Sequence, residues 1–380
     1  MYYSNFNREL TLKEKFLSIR FSYIFCIVLL MIVGILMLYS AAGGSMTPWA
    51  KNQLLRCIIA FGLMFVFAFV DVKVYLKYSY LAYFAVLVLL IAVEAFGHVG
   101  MGAQRWIDLK ILKLQPSELM KISMVLFLAK YFHSSTLGEI RSIRGLIAPV
   151  LMTLFPAALI VLEPDLGTAL MLLLTSMVIF FCVGVEIWKF LLLGGVSLAA
   201  MPVAWHFLHD YQKNRVLTFL NPERDPLGSG YHIIQSKIAL GSGGVLGKGF
   251  LHGTQSHLNF LPEKHTDFIF TMLSEEFGFF GGMLVILLNL MIVWYGFMFA
   301  YRITSYYGKL VVIGLNTNYL LYVLINIAMV LGLVPVVGVP LPLISYGGTV
   351  MLSVMVSFGI ILSMDINRHV NLGRQSVHED

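Results

Sequence analysis

The sequence predicts an all-α, polytopic integral membrane protein with about ten transmembrane helices, and three observations lead to this prediction. The 380 residues are 59% hydrophobic and only 12% charged, and their mean hydropathy is +0.84. Soluble domains are about one-quarter charged, and one soluble core of this size cannot bury so large an apolar share. The apolar residues also form continuous runs of about 20, the length of a membrane-spanning helix, rather than the alternating pattern of a β-barrel.

Ten apolar runs follow one another in a single predicted domain, 1–380. The first run follows Lys13, Lys15 and Arg20 and is too long for a cleavable signal peptide, so we interpret it as an uncleaved helix. The eighth is longer than a bilayer requires, and we expect it to tilt or to bend near a group of glycines that begins at Gly278. The predicted spans are 20–42, 54–71, 76–97, 117–133, 145–162, 167–185, 188–207, 268–299, 310–333 and 346–365.

Loop charges predict the orientation of these helices. The N-terminal segment and alternate loops after it carry Lys or Arg, whereas the loops at 163–166 and 334–345 carry neither. The excess of positive charge in cytoplasmic loops then places both termini in the cytoplasm. The loop at 98–116 is an exception because it contains Arg105 and two lysines, which suggests a function on the outer face.

The longest connection, 208–267, lies between the seventh and eighth predicted helices, on the predicted outer face. Its apolar and aromatic residues argue against disorder, so we expect short helices and turns on the membrane surface. It contains the glycine-rich stretch GSGGVLGKG (241–249), which is not a nucleotide-binding P-loop. Ser242 occupies the position of the first required glycine, and Gly249 replaces the Ser or Thr that should follow Lys248.

Composition also excludes some classes of function. The net charge of +6 is spread along the chain without a basic run, so nucleic-acid binding is not predicted, and membrane lipids are the better partner. Cys26, Cys57 and Cys182 lie in or beside apolar runs, with neither a disulfide framework nor zinc-binding spacing.

Charged residues at predicted membrane depth are the first candidates for function. Glu118 and Lys121 are three residues apart on one face of the fourth helix. They form either a structural ion pair or the charged wall of an outward-facing cavity. Asp165, at the start of the sixth helix, is either its N-cap or a carboxylate that faces the same cavity.

The most distinctive segment is LPEKHTDFIF (261–270), which leads into the eighth helix. It places Glu263, Lys264, His265 and Asp267 together, more charge than a helix cap requires. His265 is either a metal ligand or a hydrogen-bonded surface residue. These residues indicate an outward cavity suited to an anionic, amphiphilic substrate, and both an enzyme and a transporter would fit.

The uncharged segment VVGVPLPLISYGG (336–348) leads into the last helix. It predicts irregular backbone at membrane depth, which is tolerated only where it lines a cavity or packs inside protein.

Several long motifs together resemble one family, the shape, elongation, division and sporulation (SEDS) proteins, over nearly the whole chain. The details are similar to the elongation member, RodA, rather than to the division member, FtsW. The motifs are AQRWIDL (from 103), QPSELMKI (from 115), EPDLGTA (from 163), DPLGSGYHIIQSKIALGSGG (from 225), GTQSHLNFLPEKHTDFIF (from 253) and PVVGVPLPLISYGG (from 335).

The resemblance implies a peptidoglycan glycosyltransferase that polymerises lipid II outside the cytoplasmic membrane during cell elongation. It implies a class B penicillin-binding protein, a transpeptidase, as partner within a larger elongation complex. It also implies that Asp267 is the catalytic residue. The residues that match cavity positions of the family are Glu118, Lys121, Arg105 and Asp165. One departure is Glu163, where close relatives carry a neutral residue.

The chemistry of such a reaction needs one base and a counter-charge. A sugar hydroxyl is a weak nucleophile, so a carboxylate base, here Asp267, assists its attack. The diphosphate leaving group requires cations, and Lys121, Arg105, Arg215 or a divalent cation (Mg²⁺ or Mn²⁺) would supply them. The alternative function is a flippase that moves lipid II outward without forming glycan.

Overall fold

The computed structural model describes residues 11–373, apart from 97, 101–102, 109–112, 208–209, 226–228, 259 and 261–262. Within these ranges, ten long helices coincide with the ten predicted spans, which confirms the polytopic helical fold. They are α2 (Phe21–Ala41), α3 (Ala50–Phe69), α4 (Val72–Phe96), α5 (Pro116–Ser134), α7 (Ile143–Leu162), α8 (Leu166–Val183), α9 (Ile187–Phe207), α13 (Ile269–Arg302), α14 (Tyr306–Val330) and α15 (Gly348–Ile366).

Eight of these helices are long and apolar enough to cross a membrane by composition alone. The other two are α5, which carries Glu118, Lys121 and Lys130, and α9, whose apolar part is Ile187–Pro202. The charges of α5 do not prevent it from lying in the bundle, because it packs between α4, α8 and α14 and buries most of its side chains.

Short elements connect the long helices. The connection 208–267 contains helices, as predicted, and a small three-stranded antiparallel sheet lies between α4 and α5 where only a loop was expected. The short helices are α1 (Leu12–Leu17), α6 (Leu137–Arg141), α10 (Asp210–Leu220), α11 (Ser229–Ser242) and α12 (Thr254–His257), with a 3₁₀ turn at Pro222–Arg224. The strands are β1 (His98–Gly100), β2 (Ala103–Asp108) and β3 (Lys113–Leu114).

Helix α13 bends at Gly278, as the glycine group predicted, and the glycine-rich stretch 241–249 packs into the bend. Gly278 leaves helical geometry with φ 64° and ψ −160°. The carbonyls of Glu275 and Glu276 accept hydrogen bonds from backbone N–H groups of the stretch. In return, the first two N–H groups of α13 after the bend donate to carbonyl oxygens of the glycine-rich stretch at 3.0 and 3.3 Å. A Cβ at Gly278 would lie 2.3 Å from the Gly247 nitrogen, so only glycine fits.

The irregular segment 331–347 enters the bundle, as the motif 336–348 predicted. Leu341, Leu343 and Ile344 are buried, and a Cβ at Gly34 of α2 would lie 2.6 Å from the Leu343 carbonyl oxygen. Gly34 precedes the end of α2 by seven residues, which corresponds to a depth of about 10 Å. The non-helical backbone is therefore enclosed by protein, the condition under which it is tolerated at membrane depth.

Candidate active site

Asp267 lies in a turn, residues 263–268, that leads into α13. The N-cap position of α13 belongs to Phe268, and no side chain caps the helix. Asp267 therefore does not act as the cap of α13. Glu263 shapes the turn instead, because its carbonyl accepts hydrogen bonds from the Thr266 and Phe268 N–H groups and its carboxylate accepts one from the Thr266 hydroxyl at 2.7 Å.

Three consecutive carbonyls hold this turn against the rest of the bundle. The His265 carbonyl accepts from the Tyr346 N–H at 2.8 Å, and the Thr266 carbonyl accepts from the Ser345 hydroxyl at 2.7 Å. The Asp267 carbonyl accepts from Asn326 Nδ2 at 2.9 Å. The main chain of Asp267 is thus fixed by α14 and by the segment before α15, which suits a side chain that must be held in one position during catalysis.

Asn326 links the two parts of this arrangement. Its Nδ2 also donates to the Val339 carbonyl at 2.7 Å, and the side chain is fully buried in α14. The irregular segment is thereby held beside the turn. Gly338, with φ 75°, belongs to the same irregular segment, and a Cβ at this position would lie 3.6 Å from Asp267 Oδ2. The backbone of the segment therefore forms one wall of the space around the Asp267 carboxylate.

The Asp267 carboxylate has an unusual electrostatic environment. Burial raises its pKa to about 6, with a further upward contribution from the Glu263 carboxylate and a downward one from the Arg215 guanidinium of α10. Among the described residues, no donor forms a hydrogen bond with the carboxylate. A carboxylate with this pKa is mostly ionised at neutral pH and is a stronger base than an exposed aspartate.

Asp165, the second candidate carboxylate, is fully engaged as the N-cap of α8. Its oxygens accept from the Thr168 N–H at 3.2 Å, the Thr168 hydroxyl at 2.9 Å and Gln115 Nε2 at 3.0 Å. The structure shows the cap, and a role of Asp165 in a substrate cavity stays a prediction. Arg105, on β2, points to the same turn, but it donates to the Glu163 and Pro164 backbone carbonyls and so ties the small sheet to the α7–α8 connection.

Glu118 and Lys121 lie in a closed polar cluster between α5, α14 and α15. Lys121 Nζ is 2.8 Å from Glu118 Oε1, and it also bonds the Tyr322 hydroxyl. The other oxygen of Glu118 accepts from the Tyr322 hydroxyl and, at 3.0 Å, from the Ser353 hydroxyl. All four side chains are buried. In this conformation Glu118 and Lys121 form a structural ion pair, the first of the two interpretations. Their role in a substrate cavity stays a prediction.

His265 packs as an aromatic residue. Its ring stacks on Trp49 at 4.5 Å with an interplanar angle of 15°. Within the described ranges, no three His, Cys, Asp or Glu side chains are grouped to hold a metal ion. Glu263 and Asp267 are two neighbouring carboxylates, however, and Mg²⁺ is commonly held by one or two carboxylates together with substrate phosphates. The residues present therefore fit a cation that binds together with a diphosphate substrate.

An apolar cleft of about 410 Å³ lies between α8, α9 and α14, away from Asp267. It is lined by Leu174, Met177, Val178, Phe181, Ile187, Phe190 and Leu321. With only apolar side chains around it, the cleft suits a hydrocarbon chain rather than the reacting groups.

Sequence reasoning missed Asn326, Tyr322, Ser345 and Ser353. The polar side chains of α14 give a usable signal, because asparagines in a membrane helix are costly unless they find partners. Which partners they find depends on contacts between distant parts of the chain. Asn326, for example, bonds to residue 267, which is 59 positions away.

The profile of the cell cycle protein family that includes FtsW, RodA and SpoVE matches residues 20–370. The chain belongs to this family. Peptidoglycan glycosyltransferase MrdB of Escherichia coli K12 is 41% identical over 347 residues, which cover 90% of this chain and 93% of that protein. Stage V sporulation protein E of Bacillus subtilis is 37% identical, with coverage of 88% and 94%.

Solved structures of family members have the same fold. One belongs to work on the structural coordination of polymerization and crosslinking by a peptidoglycan synthase complex. It matches with a TM-score of 0.79 and 32% identity, over 92% of this chain and 98% of that one. The rod shape determining protein RodA of Thermus thermophilus matches with a TM-score of 0.67 and 26% identity, over 92% and 97% of the two chains. The resemblance inferred from the motifs is thereby confirmed.

Proposed function

We propose that this chain polymerises lipid II into β-1,4-linked glycan strands during cell elongation, with Asp267 as the general base. That the chain is a peptidoglycan glycosyltransferase follows from its family and from the relatives that carry this activity in their names. The observation that supports Asp267 is a contrast between carboxylates. The carboxylate oxygens of Asp165 and Glu118 accept hydrogen bonds, whereas none of the described residues donates to the carboxylate of Asp267.

The proposed reaction is a direct displacement at the anomeric carbon of the donor sugar. The 4-hydroxyl oxygen of the acceptor GlcNAc forms a bond to C1 of the donor MurNAc as the bond from C1 to the diphosphate oxygen breaks. Asp267 takes the hydroxyl proton, and the polyprenyl diphosphate leaves with the bonding electron pair. Inversion converts an α-linked donor into a β-1,4 glycan. A protein acid is not required, because diphosphate is a good leaving group once its charge is met.

The environments of the three candidate cations differ, and they favour Arg215 for the leaving group. Lys121 is buried against Glu118, and Arg105 is bound to backbone carbonyls. The Arg215 charge acts on Asp267 itself. A divalent cation held by Glu263 together with the diphosphate oxygens, when bound, would neutralise further phosphate charge.

Three further parts of the proposal concern surroundings and partners. The chain resides in the bacterial cytoplasmic membrane, with both termini in the cytoplasm and Asp267 on the outer face, as the loop charges indicate. The apolar cleft, which lies toward the predicted cytoplasmic ends of α8 and α9, holds a hydrocarbon chain of a membrane lipid. A class B penicillin-binding protein is the partner, which is supported by the match to a structure concerned with polymerization and crosslinking in one complex.

The reaction product distinguishes the polymerase from a flippase. The purified chain would be incubated with lipid II in liposomes, with and without the transpeptidase, and the glycan products would be separated on gels. Glycan chains are expected from the wild type and from Glu223→Gln, an exposed carboxylate in the same connection, but not from Asp267→Asn. Lipid II that changes leaflet without forming glycan would reject the polymerase and support the flippase.

A further inference from the structure

Arg56 is a cation inside a membrane-spanning helix that the mechanism above does not use. It lies six residues after the start of α3, which corresponds to about 9 Å along the helix from the end that carries Trp49. The side chain is partly buried. In the described part of the chain, no carboxylate comes within salt-bridge distance of it. Charged residues at such depth usually have a partner or a function.

The surroundings of Arg56 leave its hydrogen-bond donors available. The guanidinium carbon is 4.6 Å from the centre of the Tyr346 ring. An aromatic contact of this kind stabilises the cation but does not neutralise it. A guanidinium stacked on a ring keeps its N–H groups for a planar, bidentate acceptor such as phosphate.

The beginning of α15 adds space and polarity at the same place. A Cβ at Gly348 would lie 3.4 Å from Arg56 Nε, so the guanidinium lies within van der Waals distance of the first turn of α15. At Gly347, the N-cap residue, a Cβ would meet no heavy atom within 4 Å, and no side chain caps the helix. Open space next to an arginine and the uncapped N-terminus of a 19-residue helix favours an anion.

The same backbone segment connects Arg56 to the Asp267 turn. The Tyr346 N–H donates to the His265 carbonyl, two residues before Asp267. Gln53, one turn before Arg56 on α3, donates through Nε2 to the Ser345 carbonyl at 3.1 Å. The position of Arg56 relative to the proposed base is therefore fixed by short, direct contacts.

We propose that Arg56 binds a phosphate of the polyprenyl diphosphate that carries the sugar substrate. The inference rests on the proposed function, and it adds a cation to the one that Arg215 supplies. The ligand chemistry is a phosphate ester on a membrane lipid, which ordinary phospholipids also have. A diphosphate matches the site better than a single phosphate diester. It offers more negative charge, and it has a second group of oxygens, so it can bind both the Arg56 guanidinium and the N-terminus of α15.

The test measures binding rather than turnover. Undecaprenyl diphosphate and, separately, phosphatidylglycerol would be titrated onto the purified chain and followed by native mass spectrometry. The variants are Arg56→Gln and Arg56→Met, the second of which replaces the cation with an apolar, unbranched side chain. Lys51→Gln is the matched control, since Lys51 is an exposed cation at the same end of α3. Glycan formation by the wild type is recorded in parallel.

Both Arg56 variants are expected to bind undecaprenyl diphosphate about tenfold more weakly, the scale of one charged hydrogen-bonding partner. Phosphatidylglycerol binding and the Lys51→Gln control should not change. Unchanged diphosphate binding in the Arg56 variants would overturn the assignment, and so would an equal loss for both lipids, which indicates a general phospholipid contact. The absence of glycan from the wild type would instead count against the proposed function, because the binding result is read independently of it.

Discussion

Protonation of Asp267 gives a direct test of its role as the base. With a pKa of about 6, roughly nine-tenths of this carboxylate is ionised at pH 7 and roughly one-tenth at pH 5. The base is the ionised form, so the polymerisation rate should fall about tenfold from pH 7 to pH 5. The assay is the initial rate of glycan formation from lipid II in liposomes across this range. Asp267→Asn should lose about 10²-fold or more at pH 7 and show no comparable acidic decline.

The acidic limb of the pH–rate profile is the fall in polymerisation rate as the pH decreases from 7 to 5. The two charged neighbours of Asp267 should move this limb in opposite directions. Glu263 raises the pKa of Asp267, so Glu263→Gln should shift the limb to lower pH. Arg215 lowers that pKa, so Arg215→Gln should shift it to higher pH. The position of the limb is the readout, because the rate itself depends on further roles of these residues. A limb that stays in place, or moves the same way in both variants, would refute the reasoning about Asp267.

The same pKa shift predicts an effect on stability. Burial raises the pKa of Asp267 from its usual 3.8 to about 6 in the folded protein. Ionisation of this group therefore costs up to about 3 kcal/mol of folding free energy at pH 7, and this cost disappears as the pH falls below 4. Asp267→Asn should have a higher Tm than the wild type at pH 7 to 8, and this difference should shrink toward pH 4. A lower Tm for the Asn variant throughout would show that the carboxylate supports the fold.

Three other outcomes are expected. Ala at Glu118 or Lys121 leaves the partner charge buried and should cost about 3–5 kcal/mol of stability. The cavity role predicts, in addition, lost polymerisation in molecules that still fold, and a normal rate in folded protein would contradict it. Gly34→Ala should lower the Tm because its Cβ would meet the Leu343 carbonyl, whereas Gly62→Ala on α3, with open space around it, should not. Excess chelator should abolish polymerisation, with recovery in Mg²⁺ or Mn²⁺, and full activity without a divalent cation would reject the metal.

The ten helices could be predicted because the requirement to match a bilayer acts on each segment separately. The bend at Gly278 was also predictable, since a glycine group in an overlong helix is a local signal. The choice among candidate bases was not. Asp165 and Asp267 each precede an apolar helix, and the hydrogen bonds of their carboxylates differ because of partners brought by folding. Asp165 receives a bond from Gln115, 50 residues away. Whether a carboxylate accepts hydrogen bonds from other side chains depends on such contacts between distant parts of the chain, and a local sequence pattern does not predict them.

The packing of the stretch 241–249 into the bend of α13 has a consequence for protein engineering. A glycine-rich loop outside the long helices is an obvious place to insert a fluorescent protein or an affinity tag. Here, however, the loop supplies hydrogen-bond partners for backbone groups on both sides of Gly278. An insertion between residues 244 and 249 would therefore leave those groups of α13 unpaired and disturb the helix that follows Asp267. The short helix α6, where a Cβ at Gly138 would meet no neighbour, is the better site for a reporter in live cells.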